Sequence, residues 1–223
     1  DLLQDAINRN PEMKPIKKDS RISLKDTQIG NLTNRITFIS KAIQRLTKLQ
    51  IIYFANSPFT YDNIAVDWED ANSDYAKQYE NEELSWSNLK DLTDVELYNC
   101  PNMTQLPDFL YDLPELQSLN IACNRGISAA QLKADWTRLA DDEDTGPKIQ
   151  IFYMGYNNLE EFPASASLQK MVKLGLLDCV HNKVRHLEAF GTNVKLTDLK
   201  LDYNQIEAVS YTHLRAHETG AYL

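Results

Sequence analysis

The sequence is poor in glycine and has no excess of basic residues. Its 7 glycines among 223 residues leave little material for the glycine-rich loops that cradle phosphates. Lys and Arg number 23 against 32 Asp and Glu, which gives a net charge of -9 at pH 7. A surface that binds nucleic-acid phosphates needs the opposite balance, so we expect no nucleic acid among the partners.

Long apolar runs are also absent. No stretch approaches the roughly 18 to 20 apolar residues that span a bilayer, so we expect no membrane span in this sequence. The chain is nevertheless 43% hydrophobic and 25% charged, a composition typical of a folded domain. Its length is sufficient for a continuous core.

Recognisable catalytic and cofactor motifs are missing as well. The sequence contains no phosphate loop, no G-x-S-x-G turn and no zinc pattern. His181 and His186 lie on either side of a strand exit and should point in different directions. His213 and His217 have helical spacing but no acid or ligand partner in a known motif. We therefore predict that the chain is not an enzyme and needs no cofactor.

What the sequence has instead is a repeat of the form L-x-x-L-x-L-x-x-N/C. Residues 92–107 show it most clearly, with Leu92, Val95, Leu97 and Cys100 at the pattern positions. Full copies begin at Leu49, Leu92, Leu116, Ile149, Leu174 and Leu196, and a degenerate first copy contains Ile22, Leu24 and Thr27. An array needs roughly three copies, because one repeat cannot bury its own apolar face. The repeat number here is therefore ample.

This spacing is the leucine-rich-repeat signature, and it predicts an α/β repeat fold. Alternate residues of a short strand face opposite sides, so the L-x-L pair is buried and its neighbours face outward. Segments such as 106–113 and 162–174 should then return the chain over the outer side. We expect a solenoid with a parallel β-sheet on its concave face and helical or irregular returns on its convex face.

The ninth position of each copy is polar or small. Asn at this place should bond neighbouring backbone groups with its side-chain amide as the chain leaves the strand. Cys100 can fill this role weakly, and Ser57 and Thr27 are polar substitutes. Because Cys100, Cys123 and Cys179 occupy different places in the repeat, we interpret them as packing residues rather than as a disulfide framework or a metal site.

The repeat domain spans residues 19–209 and is preceded by a different segment. Residues 1–18 contain a short helix, Leu2 to Arg9, followed by Pro11 and a basic stretch. This segment either caps the end of the repeat core or is the tail of an upstream domain, and the sequence does not favour one over the other.

An acidic insertion, residues 60–87, interrupts the early repeats. It contains eight acids against one base and several aromatic residues, and it includes a predicted helix from Ser73 to about Leu84. We interpret it as an outer-face excursion whose Trp side chains anchor it to the solenoid. The alternative is a calcium site at Asp70-x-Asn72-x-Asp74, although Tyr75 and Asn81 replace the Gly and Glu of an EF-hand loop.

A second insertion, residues 128–147, predicts a helix. Ser128 and Gln131 form a capping box, and Leu132, Trp136 and Leu139 then share one helical face. The helix should pack this face on the solenoid and end before the acidic run that starts at Asp141.

The register also predicts a partner-binding stripe on the concave face. Strand residues at the third, fifth, seventh and eighth positions should face that side, and tyrosine recurs among them. The candidate binding residues are Tyr53, Asp94, Glu96, Tyr98, Asn120, Ile151, Tyr153, Tyr156, Leu176, Asp178, Asp202 and Tyr203. Contact surfaces favour amphipathic aromatics. Strand propensity alone also places Tyr at exposed sheet positions, so this alternative stays open.

With its short returns at Leu106-Pro107 and Phe162-Pro163, the chain resembles bacterial leucine-rich-repeat proteins, particularly those secreted or surface-anchored by gut anaerobes. The resemblance covers about residues 19–209. It implies a solenoid outside the cytoplasm, extracellular or at the cell surface, that binds proteins or glycans and has no catalytic residues. The acidic insertion departs from a regular array.

The last residues depart from the pattern too. Residues 210–223 lack the L-P-x-x-L spacing of a return and resemble translated adapter tails found on unrelated reading frames. We predict that this tail is not native and that the protein continues with further repeats.

We expect a non-enzymatic scaffold whose concave face binds a protein partner. The first alternative is a calcium-dependent or structural adhesion element that acts through the acidic insertion. The second is glycan binding on the tyrosine stripe, by ring stacking and by hydrogen bonds from the neighbouring Asp and Asn residues.

Overall fold

A computed structural model describes residues 20–23, 39–58, 60, 64–66, 84–191 and 195–209 of the chain. Its central feature is a parallel sheet of seven strands, arranged in chain order. These strands are β1 (Ser20–Ser23), β3 (Leu49–Tyr53), β5 (Asp94–Glu96), β6 (Ser118–Asn120), β7 (Ile151–Tyr153), β8 (Leu176–Asp178) and β10 (Asp198–Lys200). Each belongs to one copy of the repeat.

The strand register confirms the alignment of the copies. The fourth-position residues pair across the sheet in one row: Ile22, Ile52, Val95, Leu119, Phe152, Leu177 and Leu199. The degenerate first copy is therefore in register with the others. The spacings in the sequence were sufficient to place every strand of this sheet.

The core is a continuous stack of the leucine-type positions. Leu49, Ile52 and Phe54 of the second copy are fully buried, as are the equivalent residues Leu116, Leu119 and Ile121. In β10 and just after it, Leu199 and Leu201 are only half-buried. The expected alternation holds in β5 to β8, where a buried residue lies between two half-exposed ones.

The ninth-position residues form the predicted ladder. The Asn124 amide donates to the carbonyls of Leu97 and Ile121 at 2.7 and 2.9 Å, and its oxygen accepts from the Cys100 N–H at 2.7 Å. The amide of Asn157 donates in the same way to the Ile121 and Met154 carbonyls, at 3.0 Å each. Asn182 and Asn204 repeat the pattern in the next two copies.

Cys100 replaces asparagine in this ladder with weaker bonds of the same kind. Its thiol donates to the Phe54 carbonyl at 3.2 Å, the position that an asparagine amide would contact. Burial raises the pKa of Cys100 to about 12, while a bond from the Ser57 N–H opposes that rise. Burial also raises the pKa of Cys179. Both thiols are neutral packing groups, and the cysteines Cys100, Cys123 and Cys179 are all free.

The returns are short helices and bridges on the other side of the sheet. They contain 3-10 helices at Lys41–Arg45, Trp86–Asn88, Asp108–Asp112 and Gly146–Lys148, the helices α1 (Ala129–Asp141) and α2 (Ser165–Leu168), and the strands β2 (Ile39–Ser40), β4 (Ile64–Val66), β9 (His186–Leu187) and β11 (Ala208–Val209). β2 pairs with β4, and β9 pairs with β11. None of the helices in the described part of the chain is long and apolar enough to cross a membrane.

Helix α1 confirms the helix predicted within residues 128–147, with one correction. Ser128 caps it by accepting from the Gln131 N–H at 3.2 Å, and Leu132, Trp136 and Leu139 are fully buried. The helix was expected to end before Asp141 but includes it. The carboxylate of Asp141 pairs with Lys170 Nζ at 3.0 Å, an ion pair that holds the last turn against the following return.

Asp135 fixes the same helix to the preceding return. It is buried, and its carboxylate accepts from the Leu106 N–H at 2.8 Å and from the Gln131 amide at 2.7 Å. Burial raises the pKa of Asp135, and these two hydrogen bonds lower it in part. The sequence pattern did not identify this residue, because it lies between the apolar positions of α1.

The end of the acidic insertion confirms part of the anchoring hypothesis. Trp86 is buried and stacks on Phe109, with ring centroids 4.3 Å apart. Several other predictions fall outside the described residues: the helix at 2–9, residues 73–83 of the helix predicted to run to about Leu84, the calcium alternative at 70–74, the histidines 213 and 217, and the tail 210–223. Those remain predictions.

Candidate partner-binding surface

Two rows of side chains cross the outward side of the sheet. The register places the fifth-position residues Tyr53, Glu96, Asn120, Tyr153, Asp178 and Lys200 in one row. The third-position residues Ile51, Asp94, Ser118, Ile151, Leu176 and Asp198 form the other. Both rows keep partial solvent exposure. Together with the seventh-position residues they are called the concave surface below.

The structure separates the twelve candidate residues into three groups. Eight of them lie in the two rows just given. Tyr98 and Asp202 are at seventh positions, and Tyr156 and Tyr203 are at eighth positions. Two seventh-position residues that were expected to face outward, Ala55 and Gly155, are buried. A Cβ atom at position 155 would lie 3.0 Å from Val180 Cγ2, so the next copy leaves no room for a side chain here.

Two of the candidate residues also stabilise the sheet itself. Asn120 Oδ1 accepts from the Ala122 N–H at 3.0 Å, and Asp178 Oδ1 accepts from the Val180 N–H at 3.2 Å. These bonds hold the backbone where each strand ends. Asn120 and Asp178 therefore have structural roles that the stripe hypothesis did not include.

The concave surface is acidic. It carries five carboxylates against the single ammonium of Lys200 among its described side chains: Asp94, Glu96, Asp178, Asp198 and Asp202. Lys200 Nζ lies 3.8 Å from Asp178 and 3.9 Å from Asp198, so it offsets negative charge only on the later strands, β8 and β10. In the earlier strands Asp94 accepts from the Thr93 hydroxyl at 2.5 Å, and Glu96 lies across from Tyr53 and Asn120 in the register.

The apolar centre of the surface is only partly exposed. Ile151 and Leu176 are register partners on adjacent strands, and each is half-buried. Val180 is half-buried too, because it packs beside Gly155. These three residues therefore form a partly buried apolar patch between polar side chains.

The eighth-position residues form a separate feature, called here the rim. Their backbones are left-handed, with φ between 51° and 66°, although none is glycine: Asn56, Asn99, Cys123, Tyr156, His181 and Tyr203. Such a conformation is uncommon for bulky residues. Here hydrogen bonds to the next copy stabilise it: the N–H of Asn56, for instance, donates to the Tyr98 carbonyl at 2.9 Å. The turn directs the ninth side chain into the core and the eighth side chain outward.

Neighbouring rim residues contact one another. Asn99 donates to Asn56 Oδ1 at 2.6 Å. Farther along, the rings of Tyr156, His181 and Tyr203 stack, with centroid distances of 4.2 and 4.1 Å. His181 was not among the candidate residues. The regular spacing of the eighth position could have identified this ring stack, but the left-handed turn that aligns it is a property of the folded backbone.

An open cavity of about 360 Å³ lies beside the rim, between the third and fourth copies. Its lining residues are Tyr98, Asn99, Pro101, Cys123, Arg125 and Gly126. A hydrogen bond with Cys123 is the main cause that raises the pKa of Tyr98, so the phenol stays protonated. Sequence reasoning did not find this cavity, because it depends on the distance between two turns.

The described residues contain no cluster of three or more His, Cys, Asp or Glu side chains arranged to hold a metal ion. His181 lies in the ring stack, whereas the exposed His186 is in β9. The two histidines thus lie in different environments.

No protein-family model matches the chain, and no curated protein matches it significantly. Solved structures do. A leucine-rich repeat protein from Bacteroides thetaiotaomicron is 91% identical with a TM-score of 0.75, and the match covers 96% of this chain but 27% of that protein. One from Bacteroides eggerthii is 60% identical with a TM-score of 0.76, over 94% of this chain and 34% of that protein.

A leucine-rich-repeat protein from Leptospira interrogans shares the fold alone, at 16% identity and a TM-score of 0.55 over 83% of this chain and 42% of that protein. The chain spans only about a quarter to a third of the length of the two Bacteroides proteins. From its register, its asparagine ladder and these similarities, the chain is a leucine-rich-repeat solenoid closely similar in sequence to leucine-rich repeat proteins of Bacteroides.

Proposed function

We propose that the chain is a non-enzymatic scaffold that binds a protein partner on its concave surface. The observation that carries this proposal is the half-exposure of the two outward rows from β3 to β10. The sheet fixes the backbone positions from which these side chains extend, and the side chains remain partly accessible. A backbone held in this way needs little ordering on binding, which favours affinity.

The charge on this surface favours a basic partner. Among the described side chains, five carboxylates against one ammonium create a negative potential that attracts Lys and Arg side chains and speeds their encounter. Tyr53 and Tyr153 lie in the same row as Glu96 and Asp178 and add aromatic faces, which also bind cations. We infer that the partner presents Lys or Arg across the sheet and that binding takes place outside the cell or at its surface.

Charge reversal at Glu96 tests the site. Peptides selected on the full chain from a displayed library would serve as probes, and the Glu96→Lys variant should bind them at least about tenfold more weakly, because an attraction becomes a repulsion. Glu143→Lys is the matched control, since Glu143 is exposed in the turn after α1 and the charge change is identical. Dissociation constants measured by calorimetry at two salt concentrations give the comparison.

Equal binding by the Glu96 and Glu143 variants would show that net charge, and not the concave surface, determines the interaction. Asp178→Lys is a poorer test, because Asp178 also holds the Val180 N–H. A loss of affinity in that variant could come from a weaker contact with the partner or from a less stable strand end, and the measurement would not separate the two.

A further inference from the structure

The cavity beside the rim differs in charge from the surface around it. None of its six lining residues is an acid, although the chain as a whole carries a net charge of -9. Arg125 is the one charged residue among them, and it is exposed. No described carboxylate lies within the 4.0 Å ion-pair distance of its guanidinium. Among the described residues, Arg125 therefore has no carboxylate partner that would compete with an anion from outside.

Hydrogen bonds and a close backbone contact hold the walls of the cavity. The Arg125 carbonyl accepts from the Asn158 amide at 2.9 Å, and the Ile127 N–H donates to the Asn124 carbonyl at 3.1 Å. A Cβ atom at Gly126 would lie 2.7 Å from the Pro101 carbonyl oxygen, so the two turns approach as closely as glycine permits. On the other wall, Asn99 is fixed by its bond to Asn56. The cavity is preformed.

The polar groups available at this cavity are mainly donors. A guanidinium provides five N–H groups in a planar fork that matches a carboxylate, whereas the Tyr98 hydroxyl is already hydrogen-bonded to Cys123. The volume of about 360 Å³ is at the small end of ligand sites, which run from about 300 to 1,000 Å³. That is enough for one acidic side chain with the backbone that carries it.

We propose that this cavity binds a carboxylate of the protein partner, from an Asp or Glu side chain, through Arg125. The inference rests on the proposed function, since Tyr98 joins the cavity to the concave surface two residues after Glu96. Basic side chains of the partner lie on the sheet, and one acidic side chain lies at the rim. This opposite pair of charges fixes the direction in which the partner crosses the strands.

Cys123 provides a probe inside the cavity, because its thiol is half-exposed whereas Cys100 and Cys179 are buried. Iodoacetate and iodoacetamide alkylate a thiolate by the same displacement of iodide, and they differ in charge. Their rates at Cys123 would be compared by mass spectrometry of the intact full chain and its peptides. The ratio of the iodoacetate rate to the iodoacetamide rate should fall about three- to tenfold in Arg125→Ala, because one nearby positive charge is lost.

Arg185→Ala is the matched control, since Arg185 is also exposed but does not line the cavity, and it should leave the ratio unchanged. In a second arm, N-acetylglutamate amide should protect Cys123 from iodoacetamide, whereas N-acetylglutamine amide should not. Methyl glucuronide is the third probe, and stronger protection by it than by the glutamate compound would overturn the choice of a protein carboxylate.

An unchanged ratio in Arg125→Ala would overturn the proposal, and so would an absence of Cys123 labelling in the unmodified chain. The alkylation requires no partner. Its failure would leave the concave-surface proposal standing, and a failure of the Glu96 test would leave the cavity result valid.

Discussion

Replacement of Asn124 by Ala should lower the free energy of unfolding by about 3 kcal/mol or more, because buried polar groups that lose their partners cost about 1 to 3 kcal/mol each. Asn124 is fully buried. Its removal leaves the carbonyl of Leu97 and the N–H of Cys100 without the bonds that the side chain makes, while the Ile121 carbonyl keeps the bond from the Asn157 amide. Urea unfolding followed by circular dichroism measures the change.

Asn158→Ala is the control for this prediction. Asn158 is half-buried and donates one hydrogen bond, to the Arg125 carbonyl. Its loss should cost about 1 kcal/mol or less. Similar losses for the two variants would show that the ladder contributes no more than an ordinary surface hydrogen bond.

Asn124→Cys extends the test in case the Ala variant fails to fold. The third copy already uses a thiol at this position, since Cys100 donates to the Phe54 carbonyl at 3.2 Å. The Cys variant should therefore retain one weak ladder bond and lie between the Ala variant and the unmodified chain in stability. A Cys variant less stable than the Ala variant would contradict this account of Cys100.

Replacement of Trp136 by Ala should have an effect of the same size, about 3 to 5 kcal/mol, because the cavity left by a buried aromatic side chain does not close fully. Trp136 is fully buried on α1 and packs edge-on against Phe152 and Phe162, with centroid distances of 5.8 and 4.8 Å. Its indole N–H also lies 3.4 Å from the Met171 sulfur. The helix, the sheet and a return therefore meet at this one side chain.

The thermal midpoint and the near-ultraviolet circular dichroism of Trp136→Ala measure this effect. Lys133→Ala is the control on the same helix, since Lys133 makes only an exposed ion pair with Glu161. It should change the stability by about 1 kcal/mol or less. If the Trp136 variant were as stable as the Lys133 variant, α1 would not be part of the cooperative core.

The sequence predicts the sheet well because the apolar and polar positions within each copy are enough to set the register of its strand. The fourth and sixth positions must be apolar to enter the core and the ninth must be polar to bond the turn, so Leu119, Ile121 and Asn124 could be placed without coordinates. Helix α1 was predictable for a similar reason, since its cap and apolar face are local signals. Its last residue was not, because Asp141 belongs to the acidic run that was expected to follow the helix; in the structure it pairs with Lys170.

The candidate site was less predictable, because its geometry arises between copies. The pattern gave the outward direction of Glu96 and Tyr153, but it could not show that Asp178 also binds a backbone N–H. Nor could it show that His181 stacks between two tyrosines, since this follows from the left-handed turns of the rim. The cavity at Arg125 depends on how closely Gly126 approaches the preceding turn.

Carboxyl footprinting is the measurement that tests the central proposal most directly. The full chain, alone and bound to a selected partner, would be labelled with a carbodiimide and an amine, and each labelled Asp and Glu would be quantified by mass spectrometry. We predict protection of Asp94, Glu96 and Asp202 on the concave surface, with Asp108 and Glu143 on the returns unchanged. Protection confined to the returns or to residues 60–87 would contradict the proposal that the concave surface binds the partner.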